Sequence, residues 1–174
     1  MRVNKGLMIA ATFDPTKRTS LITVADMCRK IEENSISLPL YQRDISWTLQ
    51  KCIDLLNYQL WGKAPVSPIS INVINTVDSA VPQVSFIDRE IISTIERGQY
   101  SVVDGQQRLT TNYKAYCNHD DFRNIVLDLG KGEFTEVRDS IRSNQIPVGI
   151  LLNKEDTKLF EYTKAKSALG SADV

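Results

Sequence analysis

A single α+β domain, with a small mixed sheet flanked by helices, is the fold class the sequence predicts, and three observations predict it. The 174 residues are 42% hydrophobic and 24% charged, enough for one core and unlike a disordered or collagen-like chain. Apolar residues recur at helical spacing in two segments, and a third helix start follows Asp104. Between and after these lie short alternating stretches with the period of a strand, bounded by glycine and proline. Residues 1–19 read as an N-terminal extension, 20–152 as the domain, and 153–174 as a C-terminal helix and tail. There is no internal repeat, low-complexity tract or interdomain linker.

The extension shows no clear period, and Asp14-Pro15-Thr16-Lys17-Arg18 reads as a loop. Thr23 with Asp26 three residues on resembles a capping box. Val24, Met27, Cys28 and Ile31 then make one apolar face of a helix from about Val24 to Glu33. Ser35 to Arg43 alternates but contains Pro39, which predicts a short edge strand or an extended loop. Trp47 and Thr48 open a second helix with Leu49, Cys52, Ile53, Leu56 and Leu60 on its apolar face and Gly62 as its C-terminal stop. After Pro65 and Pro68, the alternation of Ile69 to Ile74 predicts a strand that buries Ile69, Ile71 and Val73.

A loop from Asp78 to Pro82 leads to a strand signal at Val84 and Phe86. Residues 91–97 and Tyr100 to Asp104 suggest a hairpin turning at Gly98. The third helix follows, with Leu109, Tyr113 and Tyr116 inward. Ile125 to Leu129 and Glu133 to Thr135 make a second hairpin around Gly130-Lys131-Gly132, a turn that also explains Lys131 without a phosphate loop. Ile146 to Leu152 reads as one more strand. Asn153 is placed to cap a final helix carrying Leu159, Phe160 and Tyr162, whose lysines form a solvated face.

Composition excludes several function classes. Lys plus Arg and Asp plus Glu are each 21, so the chain lacks the basic footprint of a DNA-coating protein, and any nucleic-acid contact must use a local patch such as Arg29, Lys30, Lys51, Lys63 and Arg123. No apolar run approaches the ~18 residues that cross a bilayer, which predicts a soluble, cytoplasmic protein with no membrane partner. Cys28, Cys52 and Cys117 are an odd, widely spaced set, neither a disulfide framework nor a zinc site. The one histidine, His119, cannot supply a multi-histidine metal centre or an HNH nuclease site, and its Asn-His-Asp-Asp setting reads as a solvated connector. Trp47 and Trp61 bracket the second helix and read as core anchors.

The most informative segment is Tyr100-Ser101-Val102-Val103-Asp104-Gly105-Gln106-Gln107-Arg108-Leu109-Thr110-Thr111, a strand that passes through a glycine turn into a helix. Such a turn suits an anion. The first N–H groups of a helix lack intrahelical partners, the helix dipole favours negative charge there, Gly105 allows close backbone approach, and Arg108 can grip phosphate oxygens. A triphosphate is the obvious candidate. Asp104 would hold Mg2+ or position a water, while Gln106 or Gln107 would orient that water or bond a base or ribose. The competing explanation is local, since Asp104 to Gln107 is also an Asp-x-x-Gln capping box. Capping does not call for the residues that follow, nor for the second polar cluster at Tyr41-Gln42-Arg43.

Leu38-Pro39-Leu40-Tyr41-Gln42-Arg43 with Trp47, the helix ending at Gly62, the Pro68 to Val73 strand, and Val102 to Thr111 with its Asp-Gly-Gln-Gln-Arg core resemble the DUF262 domain. That domain belongs to the ParB/sulfiredoxin-like superfamily and stands at the N-terminus of GmrSD-type restriction proteins and related phage-defence proteins. The resemblance spans roughly residues 20–152. It implies an α+β fold whose Asp-Gly-Gln-Gln-Arg turn forms a pocket that binds and hydrolyses nucleoside triphosphates with Mg2+. Asp104, Gln107 and Arg108 would be catalytic, with Asp104 on the metal. Gln42, Arg43, Gly105, Gln106, Thr110 and Thr111 would bind the nucleotide. No cysteine lies between Cys52 and Cys117, which disfavours sulfiredoxin chemistry, and the single histidine disfavours autonomous HNH cleavage. The alternative is a catalytically inactive regulator on the same fold that binds DNA or a DNA-processing protein. Oligomeric state is open in both readings.

Overall fold

The computed structural model describes residues 21–43, 46–64, 68–77, 80–155 and 157–170. The N-terminal extension with its Asp14 to Arg18 loop, Pro65, and Asp78 of the predicted loop lie outside the described residues. The fold is α+β, but the strands form two small sheets rather than one.

Helix α1 (Val24–Glu32) begins as predicted, the Thr23 hydroxyl accepting from the Asp26 N–H at 3.1 Å while Met27, Cys28 and Ile31 enter the core. Val24 stays exposed, because side chains of a first turn tilt toward the helix N-terminus and overshoot the packed face. The first sheet contains β1 (Ile36–Pro39), β2 (Ser70–Val73), β3 (Gln83–Val84) and β4 (Tyr100–Asp104), in the order β2-β4-β1-β3. β1 is therefore an inner strand, not the predicted edge, and all four of its residues are buried. It runs parallel to β4 through Ile36↔Tyr100 and Ser37↔Ser101, and antiparallel to β3 through Leu38↔Val84 and Pro39↔Gln83. Pro39 is tolerated because it ends the strand, and the next N–H, that of Leu40, bonds Pro82 O at 2.8 Å.

The partner of β4 on its other side is β2, not residues 91–97. Gly98 does turn the chain, at φ 99°, but the turn docks on the end of β2: Gly98 N donates to Ile74 O at 2.9 Å and Ile74 N to Gln99 O at 2.8 Å. The polar Ser93-Thr94 stretch has little to bury, and a lone bridge from Ile91 to Val84 is all the pairing its neighbourhood makes. On the outer strand β2, Ile69 and Ile71 pack on the core whereas Val73, at the sheet margin, is exposed.

Helix α2 (Leu49–Leu60) is capped by Thr48 and stops at Gly62, whose φ of 64° lets its N–H reach Gln59 O at 3.1 Å and Lys63 N reach Tyr58 O at 2.8 Å. After helix α3 (Gln106–Tyr116) comes a 3-10 turn (Asp120–Phe122), with the His119 Nδ1 accepting from Asp121 N as its cap. The second sheet has β5 (Ile125–Asp128), β6 (Glu133–Glu136) and β7 (Gln145–Pro147) in the order β6-β5-β7, all antiparallel, and includes the predicted hairpin. The strand expected over 146–152 divides at Pro147, where a ladder donor is missing and the fixed φ suits a helix start, and α4 (Val148–Leu151) follows. Helix α5 (Thr157–Gly170) is not capped by Asn153. That side chain accepts from Glu155 N at 2.9 Å and donates to Gly149 O at 2.7 Å, fastening the end of α4. No helix among the described residues is long and apolar enough to cross a membrane.

Two hydrophobic clusters meet at α3. Met27, Ile31, Ile36, Leu38, Val84, Phe86, Val102 and Leu109 form one; Cys52, Ile53, Leu56, Ala115, Phe122, Ile125, Phe134 and Val148 form the other. Because Leu109 sits in the first and Ala115 in the second, α3 is held at both ends and its N-terminus has a fixed position. Tyr113 packs against the first cluster, where burial pushes its phenol up to about 12. Burial likewise raises the Cys28 thiol to about 12, so this cysteine is a core residue and not a nucleophile. Trp47 packs on the second cluster as expected, but Trp61 is exposed, its indole N–H bonding Gly132 O at 3.0 Å.

Asp128 organises the second hairpin. Its carboxylate accepts from Gly130 N, Lys131 N, Asn144 Nδ2 and Gln145 Nε2 at 3.0–3.3 Å, and the Gln145 bond leads the effects that hold its pKa below the usual carboxylate value. A lowered folded pKa means stability that is complete at neutral pH and lost as pH falls through that lowered value, below ~4. Asp128→Asn is expected to lower the midpoint of thermal unfolding at pH 7, with the gap to wild type narrowing steadily when the melts are repeated toward pH 2.

Candidate functional site

The bulge in β4 sets the geometry of the site. Ile71 pairs with Val102 and Ser70 with Asp104, so Val103 is an extra residue with no partner in the β2 ladder. On its other side β4 has already passed its last pairing with β1, at Ser101. The carbonyls of Val102 and Val103 thus need a donor, and both accept from the side-chain amide of Gln42, at 2.7 and 2.9 Å. Gln42 belongs to the segment leaving β1, so this clamp ties the Tyr41-Gln42-Arg43 cluster to the strand that leads into Gly105.

Two further bonds fix the same segment. Gln106, buried in the first turn of α3, donates from Nε2 to Arg43 O at 3.2 Å. Arg89 donates to Gln42 O at 2.7 Å from a backbone with φ 58°, a conformation seldom adopted by a residue other than glycine. Arg89 escaped the sequence reading because one arginine in a polar loop carries no spacing signal.

Gly105 occupies the N-cap of α3 with φ 95°, so the capping box from Asp104 to Gln107 does not form. A side chain there would be strained by φ and crowded too, since an added Cβ would stand 3.0 Å from Ile69 Cγ1 and 3.2 Å from Arg108 Nη2. Intrahelical bonding starts at Leu109 N to Gly105 O, 3.1 Å, so the amides of Gln106, Gln107 and Arg108 precede it. Gln107 turns its Oε1 to the backbone N–H of Trp47 at 3.3 Å, which brings the chain before α2 against the same turn.

These elements enclose a polar cleft of about 530 Å³ lined by Tyr41, Gln42, Arg43, Ser46, Trp47 and the run Val103 to Arg108. The structure therefore gathers Asp104, Gly105, Gln106, Gln107, Arg108, Gln42 and Arg43 from two distant stretches of sequence into one place. It does not gather Thr110 and Thr111. Both are buried one turn further along α3; Thr111 donates to Gln107 O at 2.9 Å, with Cys52 Sγ 3.4 Å from its hydroxyl, and both border a smaller hollow that shares Trp47 with the cleft. Tyr41 and Trp47 also line the cleft; Trp47 reads as a core anchor from its place before a helix, and Tyr41 stands in the second polar cluster without a site role assigned to it.

Arg108 donates to Pro68 O at 3.1 Å and lies 3.7 Å from Asp104. The Asp104 side chain is 74% exposed and that of Arg108 22%, so the ion pair is loose and worth no more than about 1 kcal/mol. An incoming anion with several charges would displace it. Arg43 makes no side-chain hydrogen bond or ion pair among the described residues and also lines the cleft. Among the described residues no three metal-binding side chains are grouped, which leaves Asp104 as a lone carboxylate at the cleft. One carboxylate suits Mg2+, an ion that is commonly held by one or two carboxylates together with substrate phosphates. The five-cation patch suggested for DNA is weakened, because Arg29 pairs with Asp26 and Arg123 with Asp120.

The family model described as GmrSD restriction endonuclease, N-terminal domain, matches residues 24–170, from the start of α1 to the end of α5. No curated protein and no solved structure matches the chain.

The clamp is testable by an isosteric change. Gln42→Glu sets a carboxylate against two carbonyls and should destabilise the fold by about 2 kcal/mol or more in urea unfolding at pH 7. At pH 4 and below, where the side chain regains one O–H donor, part of the loss should return; an unchanged midpoint at pH 7 would show that the clamp contributes nothing.

Proposed function

The chain belongs to the family of the GmrSD restriction endonuclease N-terminal domain, and from that premise we propose that it is a nucleoside-triphosphate-binding domain of a restriction or phage-defence system. The observation that carries this reading is the gathering of helix amides, Arg108 and Arg43 around one polar cleft beside a glycine turn of positive φ. Such a cleft suits a polyphosphate: the amides would meet phosphate oxygens along the helix dipole, and two arginines of the lining would supply guanidinium groups. Asp104 would hold Mg2+, which when bound supplies charge neutralisation across the phosphates.

Hydrolysis is the second part of the reading. Water forms a bond to the terminal phosphorus, the bridging P–O bond breaks, and the nucleoside diphosphate leaves with the electron pair. Arg108 stabilises the charge that develops, and Asp104 stands beside it to position the water. Gln107 acts by position, holding Trp47 against the turn through its Oε1. Thr110 and Thr111 have no part in this arrangement; they hold α3 in the core.

Wild-type protein should melt several degrees higher in the presence of a saturating nucleoside triphosphate and Mg2+, since a ligand at 100 times its Kd adds ~2.7 kcal/mol. Arg108→Ala should abolish that shift in a protein that still unfolds cooperatively, at a melting temperature somewhat below that of wild type because the bond to Pro68 O is lost. Absence of any shift with all four ribonucleotides, in a folded wild-type protein, contradicts the reading. Release of inorganic phosphate, lost in Asp104→Ala, tests turnover separately.

A further inference from the structure

We infer that the cleft takes its nucleotide by the plane of the base and by the polyphosphate, not by the base edge, and that Tyr41 supplies the stacking surface; this rests on the nucleotide reading above. Base selection often uses side-chain amides pointed at the ligand, and among the described residues the glutamines of the cleft each have one end of the amide turned to the main chain. Gln42 gives its NH2 group to Val102 O and Val103 O, Gln106 gives its own to Arg43 O, and Gln107 turns its Oε1 to Trp47 N. Ser46 is a hydroxyl that donates or accepts with equal ease and so discriminates little. Arg43 and Arg108 are the cations that the phosphates require.

The aromatic groups are differently placed. Tyr41 is 68% exposed at the cleft, and makes no ring contact or hydrogen bond among the described residues, although its neighbour Gln42 is pinned on three sides. An aromatic ring with no ring contact or hydrogen bond among the described residues, in one cleft with Arg43 and Arg108, is a platform for a flat ring attached to a charged chain. Trp47 adds a second aromatic wall, but it also packs on the second hydrophobic cluster. Tyr41 is therefore the residue that can be changed without disturbing the fold. Stacking accepts any base because each has a π face, so discrimination among the four should be slight.

The test compares ATP, GTP, CTP and UTP with inorganic triphosphate, each with Mg2+, by isothermal titration on wild type, Tyr41→Ala, Tyr41→Phe and Arg108→Ala. Wild type should bind the four nucleotides within about tenfold of one another. Tyr41→Ala should weaken all four by about tenfold or more and leave inorganic triphosphate within about twofold, while Tyr41→Phe should behave as wild type. Equal loss of nucleotide and triphosphate in Tyr41→Ala, or no loss of either, overturns the stacking role. A preference of more than about a hundredfold for one base overturns the plane-only recognition. Triphosphate binding that Arg108→Ala leaves intact, or no binding by wild type at all, overturns the nucleotide reading itself and this inference with it.

Discussion

The Gln42 side-chain amide, bonded to two successive carbonyls of β4, is the contact on which the site depends. A β-bulge is ordinarily a place where a sheet loses backbone bonds and bends. Here the bulge at Val103 puts two acceptors within reach of one NH2 group, and the donor comes from a segment that is 60 residues away in sequence. The result is that the cluster after β1 and the turn after β4 cannot move independently. Arg89 and Gln106 reinforce the same junction from either side. Everything that lines the cleft hangs from these few polar bonds, while the hydrophobic clusters hold α3 behind it.

Local signals in the sequence were sufficient for helices α1 and α2. The Thr23 and Thr48 caps, the 3–4 spacing of Cys52, Ile53 and Leu56, and the Gly62 stop are all decided within one or two turns. Strand partners were not legible, because pairing is decided by burial against distant elements. Ser35 to Arg43 alternates and contains a proline, which locally describes an edge; only the presence of β3 and β4 on either side makes β1 an inner strand. Tyr100 to Asp104 was recognisable as a strand, yet its partner was the earlier β2 and not the nearer residues 91–97. The apolar run 146–152 satisfied strand and helix equally, and Pro147 divided it between them.

The site was legible to a different degree. Residue chemistry at a strand-to-helix turn pointed to Asp104 through Arg108, and a second cluster with the same chemistry pointed to Gln42 and Arg43; both line the cleft. What sequence could not supply was the direction of each side chain. The glutamines look like ligand-binding groups, and each has one end of its amide bonded to the main chain, which helps to build the cleft. Thr110 and Thr111 follow Arg108 directly, but helical rotation carries them into the core. Arg89 had no pattern to mark it, while Tyr41 and Trp47 stood in the marked segments without being assigned to the site, since their placement at the cleft comes from tertiary contacts.

The family assignment gives this architecture a setting in restriction-type proteins, and the chemistry we propose for the cleft is a charged chain met by helix amides and guanidinium groups. The most direct check is a crystal structure of the protein soaked with a nucleoside triphosphate and Mg2+. The account requires phosphate oxygens within hydrogen-bond distance of the amides of Gln106 to Arg108, with the Arg108 guanidinium drawn off Pro68 O onto the ligand. Nucleotide bound elsewhere, or a cleft still empty at saturating ligand with Arg108 unmoved, would contradict it.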